Sequence, residues 1–461
     1  MKPTSLGQVA VLAEGLLLNG SPDRPVTSVH FDSRQLEAGG LFVAVRSERD
    51  GHDFLPSAVA KGAAAAIISD EAKIPPDLPR DFGLILVNDT VRAFEKWAGK
   101  YRNQLTLPII AVTGSNGKTT TKDITAHLLS QAMSVYKTYK SFNNHLGVPY
   151  SLLQIDECHQ AAVLELGMNH AGEIDRLASL VRPRISIITN IGDAHLEFFG
   201  SRRKIALAKG ELLPHTARDG LVLLNGDSPY LQQITHLYPG KTLFYSVERP
   251  ADLWAEEIAT SERGTSFIVR FASGEAFPVA LPLFGKHNVA NSLPAIAVAR
   301  EMGMEPAAIA QALATLKISA MRFEVSTAAS GAVVINDAYN ASPASMEAAI
   351  ETFAQILPGR KKVLVLGEML ELGKESARLH AEVGTFANQY RERFALLVTI
   401  GEAARPLHDA YQGEKRHVPD KAAAAALLAA HNDGEHAILF KASRGICLET
   451  LVASLLENKQ P

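Results

Sequence analysis

The segment Gly114-Ser115-Asn116-Gly117-Lys118-Thr119-Thr120 constrains the fold of this chain more than any other. It follows the β-branched run Ile109-Ile110-Ala111-Val112-Thr113, and apolar residues at helical spacing come after it. A buried strand, a glycine turn and a helix in this order direct backbone N–H groups and the helix N-terminus at one anion. Lys118 adds a point charge, and the Thr119 hydroxyl suits Mg²⁺. The segment predicts a phosphate loop for ATP or another nucleoside triphosphate; the alternative is a glycine turn that binds nothing.

Continuous apolar runs recur after this loop, separated by segments long enough for helices. They predict a parallel sheet with crossover helices; the runs cover residues 162–166, 185–189 and 221–224. Residues 251–279 instead alternate apolar and polar side chains, with turn chemistry at Ser273-Gly274. That pattern predicts an antiparallel hairpin at the edge of the same sheet.

The length of 461 residues fits about three domains at roughly 150 residues each. We expect a small α/β domain over 1–105, a central P-loop domain with a parallel sheet over 106–317, and a C-terminal Rossmann-like α/β domain over 318–461. The last assignment rests on apolar runs, each read as a strand with a helix after it, at residues 332–335, 363–366, 396–400 and 437–440.

The charge and cysteine content of the chain indicate which partners it has and in which cellular compartment it works. Lys and Arg number 46 against 49 Asp and Glu, a net charge of −3, so no basic field indicates nucleic acid. Two cysteines, Cys158 and Cys447, form no disulfide framework and suit a reducing compartment. The alanine-leucine run at 422–430 is about half the ~20 residues that span a bilayer. We therefore expect a cytoplasmic protein without membrane insertion.

Together with the phosphate loop, motifs along essentially the whole chain resemble those of the Mur ligase family, in the same order and spacing. They are Asp32-Ser33-Arg34, 143–149, Glu165-Leu166-Gly167-Met168-Asn169, 190–195, 208–211, 285–288 with Asn291, Arg322-Phe323-Glu324, 336–340 and 441–444.

This resemblance implies an ATP-dependent ligase of peptidoglycan precursor synthesis. We expect a monomer, although the sequence leaves the oligomeric state open. Such an enzyme phosphorylates a carboxylate to an acyl phosphate, which an amine then attacks. The expected substrates are UDP-N-acetylmuramoyl-tripeptide and D-alanyl-D-alanine. The N-terminal domain would hold the UDP-sugar peptide, the central domain ATP, and the C-terminal domain would close over the site.

The resemblance also implies catalytic and metal-binding residues. Thr119, Glu165 and His195 would bind Mg²⁺, as would Lys209 after carbamylation, because a carbamate attracts the metal that an ammonium repels. The residue types alone leave other possibilities open: a carboxylate satisfied by a helix N-terminus, a structural histidine and a solvated surface lysine.

Further residues are assigned to the nucleotide by the resemblance. His287, Asn288 and Asn291, at the start of a predicted helix over 287–302, would bind adenine; the alternative is a helix cap with a packing residue. Arg322 would reach the γ-phosphate, its alternative being a salt bridge with Glu324. Asp337 would help to orient the nucleotide.

The UDP-sugar peptide is assigned to Ser33, Arg34, Asn143 and Asn144, although a plain surface loop is an alternative for the first two. The chain departs from the family pattern at Ser342, Glu368 and Ala442, where Asn, Asp and Gly are usual. Ser342 still suits a helix N-cap and Pro343 the first helical position. The geometry of the amine-substrate site stays open.

Two other functions are compatible with the phosphate loop. One is a related ligase that adds a single amino acid, although its Asp-Asn-Pro-Arg signature is absent. The other is a P-loop ATPase switch without ligase activity, which would not need nucleotide-facing residues such as Arg322 and Asp337 in a separate domain. The third residue of the tripeptide, meso-diaminopimelate or lysine, is open as well.

Overall fold

The computed structural model describes residues 1–317 and 319–457. Position 318, where the third predicted domain begins, and residues 458–461 at its end lie outside the described residues. The chain divides into two units, each built from separate stretches of sequence. Unit 1 comprises Met1–Thr113, Leu129–Ile187 and Glu211–Val222, and unit 2 comprises Gly114–Leu128, Ile188–Gly210 and Leu223–Pro461.

The strands are β1 (Thr4–Ser5), β2 (Leu16–Asn19), β3 (Pro25–Val26), β4 (Val29–His30), β5 (Leu41–Val43), β6 (Ala65–Ile68), β7 (Gly83–Leu86), β8 (Ile109–Thr113), β9 (Val135–Lys137), β10 (Ala161–Glu165), β11 (Ile185–Ile188), β12 (Leu221–Asn225), β13 (Lys241–Ser246), β14 (Leu253–Ser261), β15 (Gly264–Phe271), β16 (Ala276–Leu281), β17 (Glu324–Thr327), β18 (Val333–Asn336), β19 (Lys361–Leu366), β20 (Leu396–Ile400), β21 (Lys415–Val418) and β22 (His436–Lys441).

The α-helices are α1 (Leu6–Ala13), α2 (Leu55–Ala60), α3 (Thr90–Arg102), α4 (Lys118–Leu129), α5 (Gly147–Gln154), α6 (Glu173–Val181), α7 (Leu196–Phe199), α8 (Arg202–Gly210), α9 (Pro229–Gln232), α10 (Lys286–Glu301), α11 (Pro306–Ala314), α12 (Pro343–Gln355), α13 (Ser376–Ala387), α14 (Arg405–Ala410), α15 (Lys421–Leu428) and α16 (Glu449–Leu456). Within the described residues, no helix combines the length and the apolar character needed to cross a membrane.

Unit 1 contains two groups of hydrogen-bonded strands. Strands β2, β7, β6, β5 and β4 are neighbours in that order, with β2 antiparallel to β7 and the others parallel. Strands β12, β11, β8, β10 and β9 form the second run, in which β10 pairs in parallel with β8 and with β9. Every residue of β8 and β10 is buried, as expected of parallel strands covered on both faces. The predicted parallel sheet is confirmed.

In unit 2, strands β12 to β16 are neighbours in sequence order. The β14–β15 and β15–β16 pairs are antiparallel, so the predicted hairpin is confirmed and gains one strand. The second sheet has the order β17-β18-β22-β19-β20-β21, and its pairs are parallel apart from β17 with β18.

The second sheet of unit 2 has an apolar core on each face. Along β18, Val333 and Ile335 belong to one core cluster, which also contains apolar residues of α12 and α13. Val334 belongs to the other cluster, together with apolar residues of α15 and α16. This alternation confirms the expected Rossmann-like arrangement, with helices on both faces of a mostly parallel sheet.

Candidate active site

The glycines of the phosphate loop occupy positions that a larger residue could not. Gly114 and Gly117 have φ values of +147° and +78°. A Cβ atom at Gly114 would lie 1.8 Å from Thr189 Oγ1, and one at Gly117 would lie 2.1 Å from Asn291 Oδ1. The loop therefore needs glycine for both conformation and space, as the sequence pattern predicted.

The segment after β11 braces this loop. The N–H of Ser115 donates to the Asn190 carbonyl oxygen at 3.0 Å, and the N–H of Asn116 donates to Asn190 Oδ1 at 2.9 Å. The N–H of Gly192 donates to Ser115 Oγ at 2.9 Å. Because three hydrogen bonds join the loop to this segment, the loop is preformed for an anion.

Two lysines lie near the loop in different environments. Lys118, the first residue of α4, donates from Nζ to the carbonyl oxygens of Gly114 at 2.9 Å and Ser115 at 3.3 Å. Lys209, near the end of α8, is 0% exposed, and its Nζ has no hydrogen-bond partner among the residues that the structure describes. Burial, and then the positive charge of Lys118, lower the pKa of Lys209 well below its ordinary value of 10.5. The structure thus excludes the solvated-surface alternative for Lys209 and favours an uncharged amine.

His195 is held by a carboxylate from the loop after β19. Its Nδ1 lies 2.7 Å from Glu371 Oε2. The pKa of Glu371 is below its ordinary value, chiefly because of the contact with His195 and more weakly because of the charge of Lys118. Burial acts in the opposite direction. Sequence reasoning missed Glu371, although it noted the same loop for Glu368, because the pattern does not show which carboxylate faces the site.

The three residues predicted to bind adenine lie at the start of α10, where two of them line different cavities. Asn288 and Arg322 line a cavity of about 450 Å³, whereas His287 lines another of about 590 Å³. Asn291 Nδ2 donates to Asn288 Oδ1 at 3.3 Å, which fixes the two amides relative to each other. Burial lowers the pKa of His287 to about 4, so this imidazole is neutral at pH 7.

Arg322 stacks on an aromatic ring. Its guanidinium carbon lies 4.4 Å from the centre of the Tyr339 ring, and its buried Nε has no hydrogen-bond partner within the described part of the chain. Among the described residues no ion pair joins Arg322 to Glu324; Glu324 Oε2 accepts instead from the N–H of Met321 at 2.9 Å. The salt-bridge alternative is therefore not supported, and the guanidinium keeps donors for an anion.

Asp337 supports the backbone beside Arg322. Its Oδ2 accepts from Lys441 Nζ at 2.7 Å, and its Oδ1 accepts from the N–H of Phe323 at 3.1 Å. Lys441 also donates to the Asn340 carbonyl oxygen at 3.1 Å. The structure therefore places Asp337 in a network that fixes the segment carrying Arg322.

Helix α12 contacts the phosphate loop through its N-cap. Ser342 Oγ donates to Asn116 Oδ1 at 3.1 Å, and Ser342 and Ser345 form a capping box. Pro343 is the first residue of the helix, so the predicted cap and first helical position are confirmed. Unit 2 thus brings together the phosphate loop, Lys209, His195 with Glu371, and the N-terminus of α12.

In unit 1, Glu165 ends β10 and is 1% exposed. Its Oε1 accepts from Asn143 Nδ2 at 2.7 Å, and its N–H donates to Thr138 Oγ1 at 3.0 Å. The structure thus joins two predicted residues, Glu165 and Asn143. Asn144 has a local role, since its Oδ1 accepts from the N–H of Gly147 at 2.9 Å at the start of α5.

Ser33 and Arg34 lie in a short 3₁₀ turn of unit 1. Ser33 is buried, whereas the Arg34 side chain is 86% exposed and pairs with Asp32 at 2.8 Å. This guanidinium is accessible to an anionic ligand, although it already has a carboxylate partner.

Three family models match consecutive parts of the chain. "Mur ligase family, catalytic domain" matches residues 25–109, "Mur ligase middle domain" matches 112–299, and "Mur ligase, glutamate ligase domain" matches 321–444. The chain is 37% identical over 457 residues to the UDP-N-acetylmuramoyl-tripeptide–D-alanyl-D-alanine ligase of Bacillus subtilis, covering 98% of each chain.

Solved structures agree with the sequence comparison. MurF from Acinetobacter baumannii superposes with a TM-score of 0.88 at 31% identity and covers 99% of both chains. MurF ligase from Thermotoga maritima in complex with ADP gives a TM-score of 0.82 at 29% identity, with 94% of this chain and 98% of that one covered. These likenesses extend over the whole three-domain α/β fold.

Proposed function

This chain belongs to the Mur ligase family, and from that membership we propose that it joins D-alanyl-D-alanine to UDP-N-acetylmuramoyl-tripeptide at the expense of ATP. The observation that carries the proposal is the likeness over 98% of the chain to a ligase of that activity. The product is UDP-N-acetylmuramoyl-pentapeptide, a peptidoglycan precursor.

The reaction proceeds in two displacements. A carboxylate oxygen of the tripeptide attacks the γ-phosphorus of ATP, and ADP leaves to give an acyl phosphate. The amine of D-alanyl-D-alanine then attacks the acyl carbon, and phosphate leaves as the amide forms and the amine loses its proton. The first step brings two anions together, and in the second, negative charge develops on the acyl oxygen and the leaving phosphate, so cations are needed more than proton donors.

The phosphate loop supplies the first cations and donors. Residues 114–120 would hold the phosphates of ATP through their backbone N–H groups, and Lys118 would exchange its carbonyl partners for phosphate oxygens. Arg322 would contact the γ-phosphate, for which its stacked guanidinium has donors to offer, while Asp337 holds the adjoining backbone. His287, Asn288 and Asn291 would bind adenine, and their positions at the start of one helix support this. His287 lines a different cavity from Asn288, so it would contact less of the adenine ring.

The donor set fits magnesium. We assign Thr119, Glu165, His195 and Lys209 as its ligands, the last after carbamylation. Lys209 meets the chemical requirement, because an uncharged amine attacks CO₂, forms an N–C bond and loses a proton. The buried, unpartnered Nζ is the feature that supports this assignment. When bound, magnesium neutralises charge on phosphate and carboxylate oxygens.

We propose the following organisation around this chemistry. Residues 1–105 bind the UDP-sugar peptide, with Ser33 and Arg34 near the pyrophosphate, and 106–317 bind ATP. Residues 318–461 form the Rossmann-like ligand-binding domain that closes over the site. Asn143 and Asn144 contact the UDP-sugar peptide. The protein acts as a cytoplasmic monomer.

A coupled phosphate-release assay tests the proposal. Release should require ATP, a UDP-N-acetylmuramoyl-tripeptide and D-alanyl-D-alanine together. Release indifferent to both of the last two would instead support an ATPase switch, and release driven by a single free amino acid would support the related type of ligase. Comparing tripeptides with meso-diaminopimelate and with lysine at the third position identifies the natural substrate.

Lys209→Ala tests carbamylation directly. This variant should lose ligase activity, and excess bicarbonate should not restore it because the amine that forms the carbamate is gone. Unchanged activity would reject the assignment.

A further inference from the structure

The loop that follows β19 meets the segment around His195 in a contact made by both side chain and backbone. Glu371 Oε2 lies 2.7 Å from His195 Nδ1. The N–H of Glu197 also donates to the Glu371 carbonyl oxygen at 3.3 Å. Two segments that are far apart in sequence are therefore held together at one imidazole.

Both residues of this contact have a left-handed backbone. The φ value is +64° at His195 and +62° at Glu371. A non-glycine residue in this region is strained. Two of them meet at the same contact, so the fold maintains this arrangement at a conformational cost.

The surroundings leave the loop little freedom to move away. Gly373 has a φ of +55°, and a Cβ atom there would lie 3.1 Å from Glu197 Cγ. The loop thus approaches the start of α7 closely.

A carboxylate next to one ring nitrogen determines how the imidazole is oriented. Oε2 lies 2.7 Å from Nδ1, although within the described residues this nitrogen has no partner in hydrogen-bond geometry; the contact turns the Nδ1 side of the ring to the carboxylate and leaves Nε2 on the other side. We propose that Glu371 is a positioning residue that holds the ring of His195 for metal binding through Nε2, an inference that rests on the proposed function. Carboxylate partners of this kind orient histidine ligands and raise their basicity.

A purely structural ion pair makes a different prediction. If Glu371 only held two loops together, its removal would lower stability without changing metal affinity in the folded chain. The two roles therefore separate when metal binding is measured directly, below the unfolding temperature of each variant.

The experiment is a titration of the full chain with Mn²⁺ in the presence of ADP, with free Mn²⁺ followed by electron paramagnetic resonance. Glu371→Ala should raise the Mn²⁺ dissociation constant about 10–100-fold. The matched control is Glu375→Gln, which removes one negative charge from a neighbouring carboxylate that pairs with Arg378 at 2.8 Å; it should stay within about twofold of the parent.

A double-mutant cycle shows whether Glu371 acts through the histidine. In a His195→Gln background, adding Glu371→Ala should cause no further loss, since the group to be positioned is absent. Equal losses in both backgrounds would overturn the inference, as would a Glu371→Ala chain that binds Mn²⁺ within twofold of the parent.

Glu371→Gln covers the case in which Glu371→Ala does not fold. The amide has the same shape and one acceptor oxygen, so this variant should fold and weaken Mn²⁺ binding about 3–10-fold, less than full removal. Unchanged binding would overturn the inference. A parent chain that bound neither ADP nor Mn²⁺ would count against the proposed function as well, whereas parent binding with unaltered variants rejects the role of Glu371 alone.

Discussion

Replacing Lys209 by Met should make the protein more stable while abolishing its activity. The Lys209 side chain is 0% exposed, and over residues 1–317 and 319–457 its Nζ has no hydrogen-bond partner. Methionine is also long and unbranched, so it can fill the same space without a polar terminus. A buried polar group without a partner costs about 1–3 kcal/mol, so Lys209→Met should raise the free energy of unfolding by at least that amount at pH 7 in CO₂-free buffer, where the lowered pKa of Lys209 adds to the difference.

The effect should depend on pH with a defined sign. Burial and Lys118 hold the pKa of Lys209 well below 10.5 in the folded chain, whereas the unfolded chain has the ordinary value. Between these two values the unfolded chain binds more protons, so the stability of the parent rises with pH, with a slope of up to about 1.4 kcal/mol per pH unit. Below the lowered pKa both states are protonated and this slope vanishes. Lys209→Met has no such contribution.

Urea unfolding followed by circular dichroism measures both effects. Parent and Lys209→Met are compared at several pH values from 7 to 10, with and without bicarbonate, which should stabilise only the parent. Lys204→Met on the exposed side of α8 is the matched control and should change stability by less than about 0.5 kcal/mol. A Lys209→Met chain less stable than the parent, with an unaltered pH slope, would refute the reasoning.

Three further changes test separate parts of the site. Arg322→Ala should lower the rate of ATP-dependent phosphate release about 10²–10³-fold; a rate within threefold of the parent would exclude its role at the γ-phosphate. Gly114→Ala should abolish ADP binding measured by calorimetry, since its Cβ would lie 1.8 Å from a threonine oxygen, whereas Gly359→Ala, with nothing within 4 Å, should bind normally. Lys441→Met should lower the free energy of unfolding by about 3–5 kcal/mol, because it leaves the Asp337 carboxylate without its cation. Adding Asp337→Asn to the same chain should recover part of this loss. A loss below about 1 kcal/mol in urea unfolding would contradict the prediction.

The sequence was most informative where a local pattern determines the structure. The β8 run, the glycine loop and the start of α4 are contiguous, so their order alone predicts their geometry. The N-cap at Ser342 is also local, because a hydroxyl followed by proline at the first helical position favours one backbone conformation. Both predictions are confirmed.

The sequence pattern could not predict contacts between segments that are distant in the chain. The burial of Lys209 depends on what packs around α8, and the helix pattern alone equally allowed an exposed lysine. The pairing of His195 with Glu371 depends on a loop 176 residues further along the chain. Asn288 and His287 are adjacent, yet they line different cavities, because consecutive helix residues point in different directions.

The discontinuous make-up of unit 2 has a consequence for synthesis of the protein. The phosphate loop leaves the ribosome early, but Asn116 pairs with Ser342, which lies 226 residues later. At roughly 5–20 residues per second, the nascent chain needs about 10–45 s to supply that partner. During this interval the loop lacks a neighbour that completes its surroundings in the finished protein. Ribosome-bound fragments that end before Ser342 should therefore bind ADP more weakly than the released chain.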